Sequence, residues 1–185
     1  MAKGALTMQA ARVFQQEFSK QGFDILHAHG QRGIDSPLRL GKIRSWFGDT
    51  YKSETILADL DMAIVSHDKD KVCALIEIEE TTCKPKVILG DVLTTLLGKG
   101  IRFQGIRDLQ VGRWTTLIVL AHDTRQFSHN RIPYLAEQSK YLRENLLTPN
   151  ATIGRVVIDT FLDYNQLEDK LRKCIIDAIN NHSAW

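Results

Sequence analysis

Apolar residues recur along the chain with two different periods, and the places where the period changes mark out its elements. Over residues 7 to 21, TMQAARVFQQEFSKQ, Ala10, Phe14 and Phe18 fall at helical spacing and Gly22 follows as a stop. FDILHAH reads as a short strand. Residues 30 to 55 are rich in Gly, Ser, Asp, Lys and Arg and lack a clean period, which predicts a long loop with fragments of structure. ILADLDMAIV (56–65) and KVCALIEIE (71–79) are two strands, and the turn-rich SHDKD between them makes a hairpin. CKPKVILGDVLTTLLGKG then reads as a helix: Pro85 suits the first turn, Val87, Ile88, Val92, Leu93, Leu96 and Leu97 form a wide apolar face, and Gly98 and Gly100 end it.

WTTLIVLA (114–121) is a continuous apolar strand of the kind buried on both faces. PYLAEQSKYLRENLL is a helix with Leu135, Tyr141, Leu142 and Leu146 inward, and RVVIDTF is a short strand. YNQLEDKLRKCIIDAINN closes the chain as an amphipathic helix through Leu167, Leu171, Cys174, Ile175, Ala178 and Ile179. The order is helix, three strands, helix, strand, helix, strand, helix. That alternation predicts an α/β fold with a mixed sheet flanked by helices.

A chain of 185 residues is expected to be one domain with a proper core, and 43% hydrophobic with 25% charged residues reads as soluble and globular. No run approaches the ~20 apolar residues of a membrane span. MAKGALTMQAARVF has no continuous apolar region of a signal peptide. Cys73, Cys83 and Cys174 are odd in number and widely spaced, which points to reduced thiols and a cytoplasmic location. A net charge of +2 announces no partner by itself.

The hairpin carries the candidate chemistry. Side chains two apart on a strand share a face, so Asp59 and Asp61 point one way on the first strand, and Glu77 and Glu79 one way on the second. If Val65 lies opposite Cys73, antiparallel pairing sets Asp61 against Glu77 and Asp59 against Glu79, with Cβ atoms ~5 Å apart. A one-residue slip sends the two pairs to opposite faces. Opposed like charges need a cation or raised pKa values. Hard oxygen ligands suit Mg²⁺, with Mn²⁺ as its substitute. The plain alternative is a wet sheet edge whose acids face water.

On these residues the chain resembles the PD-(D/E)XK nuclease superfamily, whose restriction-endonuclease-like core is a helix, three strands, a helix and a strand. Residues 7 to 121 follow that order. The motif reads as Asp61, sixteen residues, then Glu77-Ile78-Glu79, with Asp59 as a rival first position. Glu79 stands where the superfamily usually has Lys, a departure shared by some of its restriction enzymes; Lys84 or Lys86 is positioned to supply the ammonium. Glu17 matches the extra acid that the first helix often contributes. The resemblance implies metal-dependent hydrolysis of phosphodiester bonds in DNA, of restriction type in some members. Asp61, Glu77 and the Ile78 carbonyl would hold the metal, and Glu79 would orient water or bind a second ion. Cutting two strands calls for two sites, which allows for a homodimer. The other class it implies is a nucleic-acid-binding or assembly protein that kept the fold and lost the chemistry.

A nucleic-acid substrate also calls for positive charge near the acids. Residues 99 to 113 hold Lys99, Arg102, Arg107 and Arg113 against Asp108 alone. Residues 32 to 52 hold Arg32, Arg39, Lys42, Arg44 and Lys52 against Asp35 and Asp49, with Trp46, Phe47 and Tyr51 interleaved. Both segments read as loops bordering the site, suited to phosphates and bases. His27 and His29 share a strand face, and His122-Asp123 follows a buried strand, but no partners at zinc spacing accompany them. G-x-S-x-G, G-x-G-x-x-G and P-loop motifs are missing from the sequence.

Overall fold

Helix α1 (Ala5–Phe18) runs on into a 3-10 turn (Ser19–Gln21) that ends at Gly22, whose φ of 88° is the left-handed turn that glycine adopts without strain, and leads into β1 (Phe23–His27). This computed structural model describes residues 4–48, 50–67, 71–81, 84–123, 131–145 and 152–184. After β1 come β2 (Ile43–Trp46), β3 (Ile56–Leu60), β4 (Met62–Ser66) and β5 (Val72–Glu79). Helix α2 (Pro85–Leu97) precedes β6 (Gly100–Phe103), β7 (Arg107–Leu109) and β8 (Thr116–His122). Then follow α3 (Arg131–Asn145), β9 (Arg155–Phe161) and α4 (Tyr164–Ser183). Residues 68–70 of the predicted turn, Asp49, Cys83 and Leu146 lie outside the described residues.

The protein is α/β: helices pack on a mixed five-stranded sheet ordered β1-β4-β5-β8-β9, and a separate antiparallel sheet is ordered β3-β2-β6-β7. In the large sheet β1, β4 and β5 run antiparallel in turn, while β5, β8 and β9 are parallel. The α2 and α3 crossovers join the parallel strands, which need long connections.

The sequence reading joined residues 56–65 into one strand. The chain instead bends at Asp61: β3 leaves for the small sheet and β4 stays in the large one. No Gly or Pro marks the break, and the difference lies in burial. β4 is buried throughout, whereas in β3 only Leu60 is. Across the hairpin Met62 pairs with Ile76, Ala63 with Leu75 and Ile64 with Ala74, which is the register expected. A bulge then sets Val65 against Val72 rather than Cys73.

Two cores lie on the two faces of the large sheet. On one, Ile76 and Ile78 of β5 and Ile118 and Leu120 of β8 meet α1 and α4 through Phe14, Phe18, Leu171 and Ile175. On the other, Leu75, Leu117 and Val119 meet Ile88, Val92 and Leu96 of α2, and Ile43, Ile101 and Phe103 of the small sheet. Strand alternation puts Glu77 and Glu79 in the row of Leu75, at the end of β5 where the apolar cover runs out. On α3, Leu135 packs against this second core, but Tyr141, expected inward, is 56% exposed.

Candidate functional site

An open cleft of about 910 Å³ lies where the two sheets part, and Asp61, Glu77, Ile78, Glu79 and Asp59 all line it. The bend at Asp61 creates it: the residue sits between the last position of one sheet and the first of the other. Its backbone carbonyl accepts from Ala28 N at 2.8 Å. Its carboxylate takes Ile78 N–H on Oδ2 at 2.8 Å and His29 Nε2 on Oδ1 at 3.0 Å. A carboxylate only accepts, so His29 carries its proton on Nε2. His27 Nδ1 in turn donates to the His29 carbonyl at 2.7 Å. Asp61 is thus fixed from three sides, and its side chain also meets the Glu77 carboxyl.

Glu77 is only 8% exposed. Burial pushes its carboxyl well above the usual carboxylate range, and the charges of Asp61 and Asp91 push it further. Asp91 is the residue that the sequence reading missed. It lines the cleft from α2, and burial, then Glu79, then Asp61 raise its pKa from 3.8 to about 6. The signal was present: Asp91 is the sole acid of a largely apolar helix and shares its cleft face with Val87 and Thr94. Glu80, the neighbour of the motif, has a structural task. Its carboxylate accepts from Gly4 N at 3.1 Å, and from Thr7 N and Thr7 Oγ1 at 2.9 Å each, so it caps α1 across the cleft rim.

The other predicted residues divide. Lys86 lines the cleft, while Lys84 stands at the N-cap of α2. Asp59 is set against Arg44 of β2 rather than Glu79, and the two form an ion pair at 3.0 Å. Glu17 faces α4 instead of the cleft, bound to Arg172 at 3.1 Å in a group that includes Glu168. Its helix carries it to the opposite side of the large sheet from Glu77.

Parts of the basic segments read as loops are strands of the small sheet. Strands of four residues are too short for their period to register. In β2 and β6, Ile43, Ser45, Ile101 and Phe103 turn inward, which leaves Arg44 and Arg102 outward. Arg102 forks onto Asp108 at 2.6 and 2.8 Å and lies 4.4 Å from the Tyr51 ring centre; Arg44 also reaches the Tyr51 hydroxyl. Lys42 lines the cleft and Arg107 opens β7. Arg113 is elsewhere. It precedes β8, whose first residue pairs with Ala74, whereas Glu79 pairs with Ala121 at the far end. Arg113 therefore sits at the opposite end of the sheet from the acids.

In comparisons with protein-family models, curated proteins and solved structures, none matches the chain. Among the described residues, no helix is long and apolar enough to cross a membrane.

Proposed function

We propose that the protein is a metal-dependent endonuclease that hydrolyses phosphodiester bonds in DNA, on a fold of the PD-(D/E)XK type. The observation that carries this reading is Glu77, a buried carboxylate that lines a cleft beside Asp61 and Asp91. Such a group is stable as an anion only with a cation beside it.

The donor set fits Mg²⁺ or Mn²⁺, since carboxylate and carbonyl oxygens are hard ligands. Asp61, Glu77 and the Ile78 carbonyl would hold the ion, with water and substrate phosphate completing the shell. When bound, the metal stabilises charge on the scissile phosphate and acidifies an attacking water. The chain's own residues do the rest. His29 and Ile78 N–H hold Asp61 in place before substrate arrives. Glu79 orients the water from the next outward position of β5. Asp91, with a pKa of about 6, is ionised at neutral pH and takes up a proton. Lys42 and Lys86 bring positive charge to the same cleft for the phosphates. Plasmid DNA should be nicked or linearised with Mg²⁺ or Mn²⁺ and stay intact in EDTA. No cleavage of DNA or RNA with either ion sinks the proposal.

A second reading is a non-catalytic nucleic-acid-binding or assembly protein on the same fold. It is favoured by Glu79 in the lysine position, and by the lack, among the described residues, of three His, Cys, Asp or Glu side chains grouped as metal ligands. Its signature is DNA binding that no divalent ion converts into cutting.

A further inference from the structure

The three most exposed large apolar side chains among the described residues are Ile106, Leu38 and Ile34, at 82%, 78% and 69%. One exposed aliphatic is ordinary. Three on two loops bonded to each other mark an interaction surface. Ile34 and Leu38 lie between β1 and β2, and Ile106 lies in the turn between β6 and β7. Gln104 fastens these segments together. Its side-chain amide donates to the carbonyls of Pro37 at 2.6 Å and Leu40 at 2.9 Å, and its backbone N–H donates to Lys42 O at 2.8 Å.

Gln104 does this at φ 54°, a left-handed conformation that no other non-glycine residue among those described adopts. A residue with a side chain stays there only where its surroundings hold it. Gly41 makes room for the clamp, because a Cβ at that position would run into the Gln104 side chain. The two loops therefore form one braced tip that turns its aliphatic side chains outward. Lys42, at the base of the tip, also lines the acidic cleft, so the tip borders that cleft.

We infer that this tip is a wedge that enters a base step of duplex DNA lying across the cleft, an inference that rests on the nucleic-acid reading above. Apolar side chains inserted between base pairs unstack and kink the duplex, while basic neighbours hold the flanking phosphates. Charge selects this occupant. Residues 30–42 and 99–110, taken with their ion-pair partners Arg12 and Asp24, hold seven Lys or Arg against three acids, Asp24, Asp35 and Asp108. A second copy meeting this face by a two-fold axis would set that excess against itself, whereas a polyanion neutralises it.

The test uses duplexes with 2-aminopurine at a TA step, the kind of step that unstacks most readily, in EDTA so that nothing is cut. Wild-type protein should raise the fluorescence on binding. Ile106→Ala and Leu38→Ala should lose that rise and bind roughly tenfold more weakly. The slope of log affinity against log salt should not change, because no phosphate contact is removed. Gln104→Gly keeps the left-handed backbone but removes the amide clamp, and should lose the fluorescence rise at an unchanged melting temperature. Wild-type binding without a rise overturns the wedge alone, as does an Ile106→Ala variant with full rise and affinity. So does a DNA-free dimer dispersed by Ile106→Asp, which reassigns the tip to self-association. If wild type binds no duplex at all, the nucleic-acid reading itself fails and the wedge falls with it.

Discussion

Asp61 is a structural bracket and, in the proposed function, also a cation ligand, and one substitution separates the two tasks. In Asp61→Asn the side-chain oxygen can keep the Ile78 N–H, and the new NH₂ can donate to His29 Nε2 once that imidazole moves its proton to Nδ1. The charge is gone, and so is its repulsion of Glu77. Cleavage should be abolished while the metal-free melting temperature stays level or rises, measured by plasmid assay and thermal unfolding. A variant that cuts as well as wild type would move the role to Asp59. Asp91 is readable through pH. Its pKa is raised on folding, so the unfolded chain ionises first as pH climbs from 3.8 to about 6, and the folded state loses stability over that window. Asp91→Asn should therefore stabilise the metal-free protein at pH 7 to 8 and leave it nearly unchanged at pH 4. Asp91 is partly exposed, so after allowance for solvent screening the gain is about 1 kcal/mol, or roughly 2–4 °C. A gain of equal size at both pH values would assign it to packing.

Among the elements, α1 shows how two acids of similar sequence appearance part company. Glu80 closes the N-terminus of α1 with three hydrogen bonds, one of them from a side chain. Glu80→Ala should cost about 1–2 kcal/mol, seen as a lower denaturant midpoint at constant m. Glu17, which the sequence offered as a catalytic acid, is bound to Arg172 on the outer side. Glu17→Ala should change stability by ~1 kcal/mol or less and leave cleavage untouched; a large loss of cutting would restore it to the site. Nothing in the sequence distinguishes these roles, because both partners are remote: Thr7 lies 73 residues from Glu80, and Arg172 lies 155 from Glu17. The helices were legible because their period is local. Phe14 and Phe18, or Leu171 and Ile175, declare their burial within one turn or two. β2 and β6 were not legible, since Arg44 meets Arg102 across the small sheet, and four residues without their partner carry no pattern.

For the whole molecule, the cleft depends on a chain that divides itself between two sheets. That Asp61, Glu77 and Glu79 come together was legible because hairpin register is set locally, and the three pairs beyond the bulge kept it. The cleft around them was not, since it needs β3 to leave for a sheet that long-range pairing builds. Asp91 entered the site for the same reason: α2 covers the large sheet only up to the end of β5 and leaves its one acid at the opening. A buried carboxylate at such a junction makes a global prediction. Burial and like charges raise the Glu77 pKa, so its ionisation opposes folding increasingly as pH rises above the usual carboxylate range. Glu77→Gln keeps the shape and removes the charge. In EDTA the variant should melt higher than wild type, by more at pH 8 than at pH 4. Mg²⁺ or Mn²⁺ should reverse the order. An ion at one hundred times its dissociation constant stabilises the folded state by ~2.7 kcal/mol, so wild type should gain several degrees and the variant almost none. Calorimetric titration should show the matching loss of binding. If the variant keeps the full ion-dependent rise, Glu77 is no ligand. The buried charge is then left without a cation, and the reading passes to a protein that binds nucleic acid without cutting it.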